Sequence, residues 1–380
     1  MDVLISFTFI MTLAYLLLLI KWTLAWMLES VNSRAVNQVK SLKVSVIVAV
    51  RNEEHNIVPL LHALMAQKYP SALLEIIISD DQSDDQTAKR VEEYISNKNK
   101  NAFPVLLIKA NVASLPGKKH ALERAIEIAQ GDLILTTDAD CIMSELWVQS
   151  FVDVVMKTGA KMVTGLVVIS PSPTFFSAIQ ALEFLSLSAV GAVSVINQKP
   201  LMCNGANLAF LKKAFYESGG YSYGGNQPSG DDTFLMLKLA RQHPFPIAFN
   251  NQTNSIIKTK PAKSLTSLIS QRIRWASKVK YYNENYIKYT GGFILLVNLL
   301  LVSLVCLAVA GTVSWLVVGA LWMTKTCGDF LFLWRITKFS DQQNLLFVFL
   351  PAQLIYPFYS VVGGVLSVVN SGYKWKGRSF

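Results

Sequence analysis

Ile134-Leu135-Thr136-Thr137-Asp138-Ala139-Asp140 is an apolar run that ends in two carboxylates spaced i, i+2. Gly131-Asp132 before it reads as a turn, and the run is short and apolar, suited to a buried strand. Alternation along a strand sets Asp138 and Asp140 on one face, with small Ala139 pointing away. Two carboxylates that close repel each other unless a cation or a protonated neighbour sits between them. Hard oxygen ligands of this kind suit magnesium or manganese, commonly held by one or two carboxylates plus substrate phosphates. A lone Asp-x-Asp also fits a strand running into a solvated acidic turn, so the rest of the chain decides.

Outward from that stretch, short apolar runs alternate with amphipathic segments from Lys43 to about Ile257. Val44–Val50 is a β-branched strand, Glu75–Ser79 a second, Val105–Ile108 a third, and Leu133–Thr137 a fourth. Asn52-Glu53-Glu54-His55-Asn56 opens a helix through Leu60, Leu61 and Leu64. Lys118–Gln130 carries Ala121, Leu122, Ala125, Ile126 and Ala129 at helical spacing. Strands alternating with helices predict an α/β fold, a mostly parallel sheet with helices on both faces. Ligands of such sheets bind beyond the carboxyl ends of the strands, where Asp81 and Asp138 both fall.

The composition points to lipid. Of 380 residues, 52% are hydrophobic and only 16% charged, with a mean hydropathy of +0.36, too apolar for an ordinary soluble enzyme. The net charge of +10 gathers beside the apolar stretches rather than in one dense tract, so an anionic bilayer is the expected partner and nucleic acid is not. Cys141, Cys203, Cys306 and Cys327 form no C-x-x-C pair, which argues against a zinc site or a disulfide framework. Val3 to Leu28 reads as a retained transmembrane anchor, and Arg34, Lys40 and Lys43 behind it place the next domain in the cytoplasm.

Thr174–Ile196 matches a spanning helix in length, but it holds Gln180 and Glu183 on one face. A single span there would also part Asp138 and Asp140 from Asp231-Asp232, so we read an amphipathic, partly buried helix near the membrane surface. Pro261–Tyr282 is basic on one side (Lys263, Arg272, Arg274, Lys278, Lys280) and apolar on the other, as in an interfacial helix. Two spans come next, about 293–311 and 313–333, joined by a tight turn near Gly311. The last apolar stretch, about Leu345 to Val369, is interrupted by Pro351 and Pro357. As a third span it sends Lys374, Lys376 and Arg378 outside, against the charge rule, so a Pro-broken re-entrant hairpin is the alternative. The expected division is a transmembrane anchor (1–30), a cytoplasmic domain (31–260), an interfacial helix (261–290), C-terminal spans (291–370) and a basic tail (371–380).

Four further motifs bear on chemistry. Asp80-Asp81-Gln82-Ser83-Asp84-Asp85 follows a strand and opens a helix at about Gln86; it can cap that helix or accept hydrogen bonds from a base or ribose. Pro116-Gly117-Lys118-Lys119-His120 is a helix entry with cations, suited to phosphate. Ser229-Gly230-Asp231-Asp232-Thr233 precedes an amphipathic segment, where an N-cap Asp is the plain alternative. Gln271-Arg272-Ile273-Arg274-Trp275 offers forked donors for phosphate and a flat ring for a sugar or lipid group.

Taken in order over roughly residues 43–280, these motifs resemble the membrane-bound family 2 glycosyltransferases, the group of cellulose, chitin and hyaluronan synthases and ceramide glucosyltransferases. The resemblance implies a GT-A (Rossmann-like) nucleotide-sugar-binding domain. It implies that Glu53 and Asp81 line the nucleoside pocket, Lys118 lies near the nucleotide, and Asp138 faces the ribose or donor sugar. Asp140 would hold a Mg or Mn ion, Asp232 would be the catalytic base with Asp231 beside it, and Gln271, Arg272, Arg274 and Trp275 would close over the diphosphate and acceptor. The chain departs from the family where Gln82 replaces a frequent Gly and Asp231 a frequent Glu. The expected activity is inverting transfer from a nucleotide-sugar, a UDP-sugar by preference, to a lipid acceptor at the cytoplasmic leaflet. A processive polysaccharide synthase, its channel completed by an oligomer or partner subunit, is the second reading, and an inactive membrane scaffold the third.

Overall fold

The computed structural model describes residues 1–32, 41–96, 103–110, 115–221, 230–244, 246–369, 374–375 and 378–379. Arg34, Lys40, Ser229 and Lys376 lie outside the described residues. The chain begins with α1 (Asp2–Asn32), β1 (Val44–Val50), α2 (Ile57–Met65), β2 (Leu74–Asp80), α3 (Thr87–Ser96) and β3 (Val105–Lys109). It continues through α4 (Lys118–Ile128), β4 (Leu133–Thr137), α5 (Trp147–Thr158), β5 (Met162–Thr164), β6 (Val167–Ile169) and α6 (Phe175–Ile196). Next come β7 (Leu208–Leu211), α7 (Lys212–Glu217), α8 (Asp231–Gln242), β8 (Ile247–Phe249), β9 (Ile257–Thr259) and α9 (Leu265–Ala276). Then α10 (Asn285–Val309), α11 (Trp315–Phe339), α12 (Phe349–Val369) and a terminal pair, β10 (Lys374–Trp375) and β11 (Arg378–Ser379).

Two compact units result. One, made of Glu29–Ser170 and Leu187–Lys260, is built on a seven-stranded sheet of order β3-β2-β1-β4-β7-β5-β8. The expected strands β1 to β4 run parallel, with Val44 opposite Leu74 and Leu133. All five residues of β4 and six of the seven of β1 are buried, which is why their sequences are unbroken apolar or β-branched runs. β7 is antiparallel to both β4 and β5, and a small second sheet pairs β6 with β9. Strands β5 to β9 are three or four residues long, too short for a period to show in sequence. Gly131 is set by contact: its N–H donates to Ser45 Oγ at 2.8 Å, and a Cβ there would lie 2.4 Å from the Ser45 backbone nitrogen. Only glycine allows β4 to start that close to β1.

The other unit takes Met1–Leu28, Pro171–Ser186 and Pro261–Phe380. Among the described residues five helices are long and apolar enough to cross a membrane: Asp2–Glu29, Phe175–Ile196, Asn285–Val309, Trp315–Phe339 and Gln343–Gly364. In Phe175–Ile196 the most apolar window is 61% buried within the protein, against at most 39% in the other four, as expected of a packed rather than a lipid-facing helix. Gly311, at φ +75°, makes the turn between α10 and α11. α12 is one continuous helix, not the Pro-broken hairpin. Pro351 falls in its first turn, where no helical N–H is needed, and Pro357 removes a single bond from a helix that continues past it. α1 and α11 meet through Trp22–Phe332 and Trp26–Phe339. Lys325, fully buried on α11, pairs with Asp329 and reaches Gln353 of α12 at 3.1 Å, while Tyr15 of α1 donates to Asp329 at 2.6 Å. A charged pair inside apolar helices is tolerable because its polar atoms are so met.

Candidate active site

β4 ends at Thr137, one residue before the acidic pair. Asp138-Ala139-Asp140 is a turn, closed by the Cys141 N–H on Asp138 O at 3.2 Å, with Ala139 buried at its middle. Strand alternation is therefore not what juxtaposes the two carboxylates; the turn does it. The Asp140 carboxyl is pushed above its ordinary range by burial first, then by the charge of Asp138, with Glu53 adding a smaller push. Thr259 Oγ1, donating to Asp140 Oδ2 at 2.9 Å, opposes that rise. A carboxyl raised by neighbouring negative charge marks a place where a cation is favoured. Among the described residues no group of three or more His, Cys, Asp and Glu is placed to hold a metal ion. One or two carboxylates, as Asp138 and Asp140 offer, could hold magnesium or manganese together with substrate oxygens.

The neighbours are tied in by short bonds. Lys118 Nζ pairs with Asp138, and Gly117, at φ +119°, donates its N–H to Asp81 Oδ1 at 2.9 Å. Adjacent residues at the entry of α4 thereby link the acid after β2 to the acid after β4. Arg51 Nη1 donates to the carbonyls of Asp81 and Gln82, both at 2.8 Å. Gln82 has φ +58°, the left-handed region that glycine adopts without strain. Glu53 accepts from Asn56 Nδ2 at 2.6 Å, and Lys260 Nζ in turn donates to Asn56 Oδ1. Glu53, Asp81 and the Asp138–Asp140 pair thus stand at the carboxyl ends of β1, β2 and β4.

Asp231 and Asp232 lie inside the first turn of α8, and the capping position belongs to Gly230 at φ +97°. Neither aspartate is the N-cap. Asp232 Oδ1 accepts from the Thr233 N–H and Oδ2 from the Gly205 N–H, each at 2.7 Å. The Gly205 carbonyl accepts from Thr136 Oγ1 on β4, also at 2.7 Å. Two hydrogen bonds therefore join Asp232 to the strand that leads into Asp138 and Asp140. The buried Tyr221 hydroxyl is pushed well up, by burial first and then by the charges of Asp231 and Asp232.

In the other unit, Gln271 to Trp275 occupy the later turns of α9, which starts with a Ser264–Ser267 capping box. Arg272 Nε meets Glu183 at 2.9 and 3.2 Å, its guanidinium lies 4.4 Å from the Trp275 ring centroid, and its Nη1 donates to Gln271 Oε1 at 2.8 Å. Arg274 is half-buried in the last turn. Gly205, Thr259, Asn56, Arg51 and Glu183 went unremarked as site residues in the sequence. Asn204-Gly205 carries a turn signal that could have found the first, and Glu183 stands out as a charge within an apolar helix; Thr259, Asn56 and Arg51 carry none.

A mixed sheet with one antiparallel strand set among parallel ones, bearing acids at the ends of β1, β2 and β4 and a further pair on a later helix, is a GT-A-like glycosyltransferase fold. The chain belongs to glycosyl transferase family 2. The model of that family matches residues 45–219, and that of glycosyl transferase family group 2 matches residues 133–359, more than half of the chain. A mannosyltransferase from Pyrobaculum calidifontis, solved with GDP-Man and Mn2+, shares the fold at a TM-score of 0.62 and 17% identity, covering 92% of this chain and 99% of that one. Poly(ribitol-phosphate) beta-N-acetylglucosaminyltransferase TarS from Staphylococcus aureus is 36% identical over 99 residues, 26% of this chain and 16% of the relative. The beta-monoglucosyldiacylglycerol synthase of Trichormus variabilis is 32% identical over 97 residues, 26% of this chain and 20% of the relative. The chain thus matches only about a sixth to a fifth of the length of these two relatives.

Proposed function

We propose that this chain is an inverting, divalent-cation-dependent glycosyltransferase that moves a sugar from a nucleotide-sugar, a UDP-sugar by preference, to the hydroxyl of a membrane lipid. The observation that carries the reading is the bonded path Asp232–Gly205–Thr136, which holds a carboxylate from α8 against the strand that leads into Asp138 and Asp140. Glu53 and Asp81 serve the nucleoside, Lys118 the nucleotide, and Asp138 the ribose or sugar. Asp140 would hold the Mg or Mn ion, which neutralises charge on the departing diphosphate. Asp232 takes the proton of the acceptor hydroxyl as it attacks the anomeric carbon, and Asp231 supports it in the same helical turn. Gln271 and Arg274 supply donors to the diphosphate, and Trp275 a face for the acceptor. In-line displacement by the acceptor inverts the anomeric centre. The five apolar helices support a membrane-embedded enzyme, and a relative named for a glycolipid product supports a lipid acceptor over a growing polymer. The basic residues Arg34, Lys40 and Lys43 behind the first apolar segment support a cytoplasm-facing domain.

Membranes containing the chain, incubated with a panel of radiolabelled nucleotide-sugars, are expected to yield a short, solvent-extractable product. A long insoluble product would favour the polymer synthase. Asp232→Asn should lower kcat by about 10²–10⁴-fold with donor binding kept, the range of a lost general base. Asp140→Ala should lose both activity and its response to Mg or Mn. Full wild-type activity in EDTA would sink the cation site.

A further inference from the structure

The first half of α6 carries two polar side chains one turn apart, Gln180 and Glu183, and both grip the segment that bears Gln271 to Trp275. Gln180 is fully buried; its Oε1 accepts from the Ala262 N–H at 3.0 Å and its Nε2 donates to the Ala262 carbonyl at 3.3 Å. Glu183 takes Arg272 in a fork, with the side chains only 13% and 11% exposed. The next residue on α6, Phe184, lies 5.8 Å from Trp275, whose ring the Arg272 guanidinium covers. A buried carboxylate must be paired, and the fork fixes the rotation of the arginine as well as its distance. α6 therefore holds α9 at two points, ahead of its start and in its third turn. Each nitrogen of Arg272 is engaged, by Glu183 through Nε and Nη2 and by Gln271 through Nη1. A diphosphate forked by the Nε–Nη2 edge of Arg272 would first have to displace a carboxylate.

We propose that Glu183, assisted by Gln180, is a positioning residue for the transfer reaction. It sets the rotation and register of α9 so that Arg274 and Trp275 are presented to substrate, and Arg272 acts through Glu183 instead of on phosphate. This rests on the glycosyltransferase reading of the chain. Steady-state kinetics in detergent, with thermal unfolding of each variant, test it. Glu183→Gln is expected to lower kcat/KM for the donor by about 10–100-fold, chiefly through KM, the scale of a misplaced substrate-binding group. Glu183→Asp should recover part of that loss. The reversed pair Glu183→Arg with Arg272→Glu puts a carboxylate where a phosphate ligand would have to be cationic. Recovery to within about tenfold of wild type, a coupling expected only of residues acting on each other, supports the proposal. A reversed pair with wild-type unfolding but the deficit of Arg272→Gln assigns Arg272 to the phosphate and overturns it. So does a Glu183→Gln enzyme with wild-type KM and kcat, or a kcat loss that follows unfolding with KM unchanged. If the reversed pair does not accumulate, Glu183→Asp against Glu183→Gln decides on the same KM criterion. A wild type that transfers no sugar overturns the functional reading itself, whereas an active wild type with an indifferent Glu183 overturns only this one.

Discussion

Asp85 shows how single acids at the end of β2 divide between architecture and chemistry. Burial pushes its carboxyl up, but hydrogen bonds from the Thr87 hydroxyl and N–H and from the Glu54 N–H outweigh that and hold it below the usual carboxylate range. A carboxyl lowered in the folded state stabilises above its unfolded value, about pH 4, and that contribution is lost as pH falls through the lower folded value. Asp85→Asn should mimic the acid form at neutral pH. Exchange of the Thr87 and Glu54 amides is expected to rise about fivefold, the equivalent of about 1 kcal/mol at a helix entry; unchanged protection would refute the role. Asp81, four residues earlier, is instead held by Gly117 beside Lys118. The sequence shows both acids and the strand before them, yet nothing in it distinguishes these fates. The partners Thr87 and Gly117 are fixed by tertiary contact. Gln82 is a similar case: the frequent glycine of related chains is explained once the backbone there is seen at φ +58°.

Elements whose burial is complete were legible, and elements defined by neighbours were not. β1, β2 and β4 could be read because buried parallel strands leave long apolar runs; β3, at the sheet edge with no residue fully buried, was read from its short apolar run alone. β5 to β9 could not, being three or four residues each. The Asp-x-Asp turn was correctly located but for the wrong geometric reason, since β4 stops at Thr137. The β1–β4 junction supplies a test at this scale. Gly131→Ala forces a Cβ to 2.4 Å from the Ser45 backbone nitrogen, which no side-chain rotation relieves. The variant is expected to lose about 1–3 kcal/mol, as other overpacked sites do, read as a lower unfolding midpoint in detergent. Its folded fraction should keep the wild-type donor KM, because Gly131 lies at the opposite end of β4 from Asp138. An unchanged midpoint would mean that the two strands can part freely.

For the molecule as a whole, composition revealed more than any motif. A chain that is 52% hydrophobic with five long apolar helices among its described residues is expected to stay in the pellet after high salt and alkaline carbonate and to leave it only in detergent. Release by salt alone would mean that its +10 charge, not its helices, holds it to lipid. That three apolar stretches lie toward the C-terminus was readable from hydropathy, though hydropathy alone leaves the number of spans open. The continuity of α12 was not, because a proline reads as a break until its neighbours are known. The network of Tyr15, Lys325, Asp329 and Gln353 has a bearing on how the chain is made. Tyr15 leaves the ribosome 314 residues ahead of Asp329. α1 must therefore wait for this partner until α11 has been translated. A message cut short before α11 would release a protein whose opening helix has lost the counterpart that secures it, and quality control would meet it as an orphan.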